Sequence, residues 1–375
     1  MLSVAGDQLA RVAITLLVFQ RTHSALLAAI TFALSIVPAF VGGLVLSGLA
    51  DRVPRRQLMI ACDLIRAVLV AIMAIPGIPL ILMVCLFGVV ALVGAPFTSA
   101  RAALYPDILA GDLYVLGTAV TLTTLQFAQV IGFAAGGAIV ALWGVRISLL
   151  ADAGTFLVSA LITRTLVRAR PAARGAPRVR ALSWPDLTAG IRLVFGNPAL
   201  RTPMLLGWMV AFYNVPEGVV APLSQSLGGG DVAAGLILAA GALGATLGAV
   251  GFSRLVSPER RLRWMGAIAA LAPGVLVLFA FRPPLPAALA ILLVSGIFDC
   301  YQLAANAAFV RAAPAVQRGQ AFGIAQAGMS LGQGAAMVLA GAAAERFAPS
   351  LVIAVGGAIG LVVAAAVALS RSRAD

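Results

Sequence analysis

An all-α integral membrane protein with about twelve transmembrane helices, in two pseudo-symmetric six-helix halves, is the fold class this sequence predicts. Hydrophobic residues make up 62% of the 375 and charged ones only 10%, too little charge to cover an ordinary water-facing surface. The apolar residues also come in successive runs of about 20, the length that crosses a bilayer core. Finally, the basic residues collect in alternate loops, as they do in multi-pass membrane proteins.

Apolar runs bounded by charge, Pro and Gly place spans near 2–20, 24–48, 57–76, 79–102, 114–142 and 146–166. A second set follows near 203–226, 232–253, 264–281, 286–310, 320–343 and 349–370. Residues 1–166 then form one half and 203–375 the other. Between them, 167–202 carries Arg168, Arg170, Arg174, Arg178, Arg180, Arg192 and Arg201 among Pro171, Pro177, Pro185 and Pro198. That stretch is too polar to span and reads as a basic linker, with Leu187 to Phe195 able to form a short surface helix. The first run is short, with Met1 almost inside it and Arg21 closing it, so the expectation is either a start further upstream or a shortened first span.

A net charge of +13 raises the question of a nucleic-acid partner, and the placement of the arginines answers it. With the linker on the cytoplasmic side, Arg52, Arg55, Arg56, Arg101, Arg254, Arg260, Arg261, Arg263, Arg311, Arg318, Arg371 and Arg373 share that side. The other side keeps Arg21, Arg146, Arg282 and Arg346. This is the positive-inside pattern of a protein whose partner is the lipid bilayer, not nucleic acid, with both termini cytoplasmic. Cys62, Cys85 and Cys300 lie in or beside apolar runs at no metal-ligand spacing, and His23 is the single histidine. The sequence therefore predicts no disulfide scaffold, metal site, cofactor or catalytic centre. No Gly-rich phosphate loop with Lys is present, which disfavours an ATP-driven pump.

The strongest local motif is Ser47-Gly48-Leu49-Ala50-Asp51-Arg52-Val53-Pro54-Arg55-Arg56, between the second and third spans. It resembles the signature loop of the major facilitator superfamily, with Ser47 and Pro54 standing where that pattern has glycines. Asp63-Leu64-Ile65-Arg66-Ala67, Tyr105-Pro106-Asp107 in the loop after span 4, and Arg318-Gly319-Gln320-Ala321-Phe322-Gly323 leading into span 11 extend the likeness. They resemble the branch of macrolide-efflux proteins and the enterobactin exporter. The resemblance implies two halves that rock about a central site. It also implies a latch in which Asp51, with Gly48, Arg52, Arg55 and Arg56, faces the N-terminus of span 11 near Gly319, where the helix dipole is positive. Asp63 and Arg66, three apart on one helix face, pair with each other or with the loop arginines.

Ionisable groups inside spans are costly and mark candidate functional sites. Asp7 and Arg11 in span 1 are one turn apart and can neutralise each other. Glu217 lies within Asn214-Val215-Pro216-Glu217-Gly218, where Pro and Gly can break span 7, and no Arg is within its helical reach. Span 10 carries Asp299 close to Tyr301, Gln302 and Asn306. The resemblance implies that spans 1, 7 and 10 line the transport cavity. A carboxylate that is dry for part of a cycle can bind and release a proton, which is the chemistry of a proton-coupled antiporter. Glu217 is the first candidate carrier and Asp299 the second, while Asp7 reads as a paired structural group. Asp152, near the outer start of span 6, is expected to reach the interface or pair with Arg146.

In span 5, Gly132-Phe133-Ala134-Ala135-Gly136-Gly137 resembles the antiporter motif of drug exporters with Phe133 in place of Pro, and its small residues suit close helix packing. Phe127, Phe133, Trp208, Phe212 and Tyr213 are candidate linings of an apolar cavity. The sequence thus predicts a non-enzymatic, monomeric secondary transporter of the bacterial cytoplasmic membrane that exports a hydrophobic or amphiphilic small molecule, powered by the proton gradient. The alternatives are a dedicated metabolite or siderophore carrier of the same fold, or a non-transporting membrane scaffold.

Overall fold

A bilayer offers no hydrogen bonds to the backbone, so a chain this apolar must satisfy its peptide groups within its own helices. The structure is a computed structural model and describes residues 2–46, 49–109, 112–168, 184–314 and 317–372. All regular structure among them is helical. In order, the helices are α1 Leu2–Thr22, α2 Ala25–Ala33, α3 Val37–Leu46, α4 Leu49–Arg52, α5 Arg55–Met73, α6 Leu80–Ile108, α7 Asp112–Leu166, α8 Trp184–Gly196 and α9 Pro198–Trp208. They continue with α10 Val210–Tyr213, α11 Val215–Gly218, α12 Val220–Ser226, α13 Gly230–Leu255, α14 Pro258–Gly274, α15 Leu285–Phe298, α16 Tyr301–Ala312, α17 Arg318–Ala344 and α18 Pro349–Ser372. A tighter 3₁₀ stretch, Val275–Phe281, follows α14.

Nine stretches among the described residues are long and apolar enough to cross a bilayer, or ten if the bent pair Pro198–Gly218 and Val220–Ser226 is one span. Two features separate this from the twelve read in the sequence. The runs 114–142 and 146–166 are continuous in α7, broken only at Gly144 (φ 79°, ψ 171°), a backbone conformation open to glycine. The run 57–76 is α5, whose 19 residues include Arg55, Arg56, Asp63 and Arg66, more charge than an ordinary span carries. Tyr105, Pro106 and Asp107, read as a loop, are the last turn of α6. At 21 residues, α1 is about 31 Å long, enough to cross a hydrocarbon core because it runs on through Arg21.

The helices pack into two units, Met1–His23 with Leu34–Ala181, and Ser24–Ala33 with Leu182–Asp375. In the first, α1 lies along α7, and α5 packs on α6 and α7. Its apolar core includes Ile14, Val70, Met73, Phe87, Leu149 and Phe156. The glycines of span 5 serve this packing. A Cβ on Gly132 would sit 2.5 Å from the Ala5 carbonyl, and one on Gly136 would be 3.1 Å from the Leu9 Cα, so α1 and α7 touch backbone to backbone.

In the second unit α13 packs on α15, and α14 on α18. The α13–α15 seam is as tight, with a Cβ on Gly248 reaching 2.1 Å from the Ile297 carbonyl. The helix expected in the linker is present as α8. It is packed rather than free, with Gly190 against Ile324 and Gln320 of α17 and Val194 fully buried beside Leu200, Met204 and Phe309. Segment α2 docks on α17, where Gly341 lies against Ala25, Leu26 and Ala29.

At the end of that contact, the Glu345 carboxylate accepts from the Ser24 hydroxyl at 2.6 Å and from the Leu26 N–H at 2.9 Å. It thereby caps the N-terminus of α2, where a negative charge is favoured. Those two bonds hold its carboxyl below the usual glutamate range.

Two stability predictions follow from these contacts. Gly248→Ala destabilises the protein by about 1–3 kcal/mol through overpacking. Gly251→Ala, with no neighbour within 4 Å of its Cβ position, is neutral or stabilising by up to about 1 kcal/mol. Thermal unfolding in detergent reads both, and equal losses would overturn the seam. For Glu345, the lowered carboxyl makes its contribution complete above the ordinary carboxylate range and lost as pH falls through the lowered value. The melting-temperature gap between wild type and Glu345→Ala therefore closes on acidification, and a constant gap would contradict the cap.

Candidate functional site

In the first unit the polar groups converge on Arg66. Its place on the buried face of α5, beside Cys62, Asp63, Ala67 and Val70, leaves its side chain 7% exposed. Nη2 donates to Asp7 Oδ1 of α1, and Nη1 lies 3.9 Å from Asp63 Oδ1. Cζ stacks 4.0 Å over the Phe156 ring of α7. Gly94 of α6 lies beside the guanidinium, and a Cβ there would rest 3.7 Å from it, an ordinary van der Waals contact. The i,i+3 pair read from the sequence is present as an ion pair with no hydrogen bond between its members, and a pair between helices joins it: Arg66 of α5 holds Asp7 of α1.

Asp152 of α7 belongs to the same region. It is 1% exposed, so the expectation that it reaches the interface is corrected, while Arg146 is exposed. Its Oδ1 accepts from the Thr155 hydroxyl at 3.3 Å, and it lies so close to Gly6 that a Cβ there would sit 2.3 Å from Oδ1. Sequence reading misplaced it because position along a span gives depth but not rotation about the helix.

The loop arginines have defined partners. Arg55 Nη1 donates to the Ala103 carbonyl of α6 at 2.8 Å, and Arg56 Nη2 donates to the Arg164 carbonyl in the last turn of α7. Guanidiniums at helix C-terminal carbonyls are favourably placed against the dipole. Arg52 is exposed, as is Gly319. Gly48 and the side chain of Asp51 lie outside the described residues.

In the second unit the cluster forms where helices break. Span 10 is interrupted between α15 and α16, and Asp299 sits at the interruption, partly buried. Span 7 is broken after Trp208, and the carbonyls at the end of α9, which share the Met209 N–H, take further donors from α16. The Tyr301 hydroxyl donates to the Leu206 carbonyl at 3.0 Å, and Gln302 Nε2 donates to the Gly207 carbonyl at 3.0 Å. The same amide reaches the Tyr213 hydroxyl at 3.2 Å, and Tyr213 Oη donates to Asp299 Oδ1. The Tyr213 and Tyr301 rings meet edge to face, centroids 6.4 Å apart.

This arrangement differs chemically from the one at Arg66. A guanidinium can only donate, so it satisfies a carboxylate and opposes a carboxylic acid. A tyrosine hydroxyl donates to the one and accepts from the other, so the Asp299–Tyr213 bond survives protonation.

Glu217 lies on the single turn α11, partly buried, beside Gly218, whose Cβ would meet Met337 Cα of α17 at 2.8 Å. The span bends there by 49°, as Pro216 and Gly218 led one to expect. Asn306 is exposed, one turn beyond Gln302. The aromatic residues proposed as a cavity lining are mostly committed to packing. Trp208 donates Nε1–H to the Ala325 carbonyl at 2.9 Å, Phe133 is 1% exposed, and Phe127 is exposed.

Arg66→Met leaves the buried Asp63 and the partly exposed Asp7 without their cation and costs about 3 kcal/mol, the lower end of the range for a broken buried pair. Asp7→Asn combined with Arg66→Met costs less than Arg66→Met alone. Denaturation of the reconstituted protein reads the difference, and a double variant weaker than the single one would refute the pairing.

The family model described as Major Facilitator Superfamily matches residues 1–299 and 218–375. The multidrug efflux pump Tap of Mycolicibacterium fortuitum is 29% identical over 310 residues, covering 78% of this chain and 74% of that one. The enterobactin exporter EntS of Shigella boydii serotype 4 (strain Sb227) is 27% identical over 267 residues, 69% of this chain and 62% of that one. In fold, the chain is similar to a bacterial homologue of the human lysosomal transporter Spinster (TM-score 0.72, 16% identity, 99% and 95% of the two chains). It is also similar to a POT family transporter crystallised with 5-aminolevulinic acid (TM-score 0.75, 8% identity, 98% and 94%). With the family model covering the chain from end to end, this protein belongs to the major facilitator superfamily and is a multi-pass, non-enzymatic membrane transporter.

Proposed function

We propose that this transporter exports hydrophobic or amphiphilic small molecules by alternating access, coupled to inward proton movement. The observation that carries the proton part is the Asp299–Tyr213–Gln302 cluster at paired helix breaks. It is a carboxyl group in a membrane span with a hydrogen-bond partner suited to both of its protonation states. The efflux part is supported by the likeness to Tap and EntS over most of this chain. Glu217, on the bent turn of span 7, is the second proton carrier in this scheme, with Gln302, Asn306, Asp7 and Arg11 as substrate or proton contacts.

In this reading residues 1–166 and 203–375 are the two halves, 167–202 is a cytoplasmic linker, and both termini are cytoplasmic. The protein works as a monomer in the bacterial cytoplasmic membrane, and Asp51 and Gly319 form the inner latch. The enterobactin exporter among the relatives favours a second reading, a carrier dedicated to one siderophore-like metabolite.

Reconstitution in vesicles with an imposed pH gradient, tested against a panel of lipophilic cations and of siderophores, separates the two. Several unrelated lipophilic substrates support the first, and a single siderophore supports the second. Asp299→Asn lowers gradient-driven export at least about 10-fold, the range of a lost proton-transfer group, with Glu217→Gln intermediate. Unchanged export in both would remove proton coupling from these residues.

A further inference from the structure

The mechanism proposed above gives no role to one buried acid of the first unit, Asp152. Asp152 is 1% exposed, and its Oδ2 accepts no hydrogen bond. Its Oδ1 has one weak donor, the Thr155 hydroxyl. The wall opposite is the backbone of α1 at Gly6, too close to admit a Cβ.

The charged groups around it come from three helices. From α1 come Asp7 and Arg11, from α5 Asp63 and Arg66, and from α7 Asp152 itself. Nearby α6 contributes Gly94 and no charge, since Arg101 stacks over Phe97 further along. The fields of Asp7 and Arg66 both reach Asp152. Arg66 bonds Asp7 and faces Asp63, so its charge is already shared between two carboxylates. Asp152 itself makes no ion pair with any described residue, so its charge has no cation in contact. A carboxylate 1% exposed within a span does not readily hold a charge that has neither a cation nor a full set of donors.

We infer that Asp152 is a proton-binding site, separate from Asp299, seated between Gly6 of α1 and Thr155 of α7 and governed by the Asp7–Arg66 ion pair beside it. A proton from water forms an O–H bond at Oδ2, which cancels that charge. Separation of α1 from α7, or loss of the Asp7–Arg66 pair, admits water and changes the local field, so the proton leaves to solvent. The close approach of Asp152 to Gly6 places the site on the α1–α7 seam, where small movements of α1 alter its surroundings. As a second proton site of the same transporter, this assignment rests on the proton-coupled reading for its use, but not for its existence.

The test is infrared difference spectroscopy of the reconstituted protein through a pH titration, with no substrate needed. Wild type shows a protonated-carboxyl C=O band that is lost from Asp152→Asn and kept in Asp299→Asn. If Asp152→Asn does not fold, Asp152→Glu replaces it, and the band moves from the aspartic to the glutamic position. A buried acid that is merely structural would not exchange, so the band must also disappear reversibly at high pH. A band unchanged by either Asp152 variant, or one that never titrates, overturns the assignment. Gradient-driven export in vesicles is read in parallel. Wild type with the titrating Asp152 band but no response to a pH gradient would sink proton coupling and leave this site standing. Coupling that persists while the band proves independent of Asp152 would do the reverse.

Discussion

The first unit depends on one guanidinium. Arg66 is nearly inaccessible, so its desolvation must be offset by what surrounds it, and Asp7, Asp63 and the Phe156 face supply that from three different helices. The geometry is demanding, because Asp7 can reach Arg66 only if α1 lies close to α5 and α7. The small residues make that possible: Gly132 and Gly136 let α7 approach α1, and Gly6 lets α1 approach Asp152. Lipid supplies no hydrophobic force between helices, so close packing and these few polar contacts fix the arrangement.

Breaks in the helices organise the second unit in a different way. A continuous span uses all its carbonyls and offers nothing to a neighbour. Where span 7 stops at Trp208 and span 10 at Phe298, carbonyls and short polar side chains are released at membrane depth. Tyr301 and Gln302 satisfy the carbonyls of Leu206 and Gly207, and Tyr213 returns a bond to Asp299. Polar groups that would be costly alone form one network, each member satisfying another.

Much of this was legible in the sequence because the bilayer imposes a simple code. Apolar runs located the nine or ten stretches of the described residues that are able to cross a bilayer, out of twelve read, and Asn214 to Gly218 marked the bend of span 7. The Asp299, Tyr301 and Gln302 grouping gave the polar cluster of span 10. What sequence could not supply was rotation and partnership. Asp152 sits in span 6 with no polar residue beside it other than Ser148 and Thr155, and only the facing of α7 toward Gly6 reveals that it is buried. Asp7 has Arg11 one turn away, and nothing along the chain indicates that Arg66 would bind it. Tyr213, read as an aromatic lining, proved to be the hydrogen-bond partner of Asp299. The loop at Asp51 matched its family by motif, while the structure gives defined roles to its neighbours Arg55 and Arg56 as donors to the ends of α6 and α7.

The two polar centres also sort the intramembrane acids by what each can do. Asp7 is hydrogen-bonded to the Arg66 guanidinium, which can only donate, so protonating that oxygen would break the contact and Asp7 is the acid of this group held most firmly to a cation. Asp299 bonds a hydroxyl that can reverse its donor role, and Asp152 has an oxygen with no donor at all. Neither loses a hydrogen bond when it takes up a proton. A carrier that must change charge during its cycle without coming apart needs acids of this second kind, held in place by acids of the first.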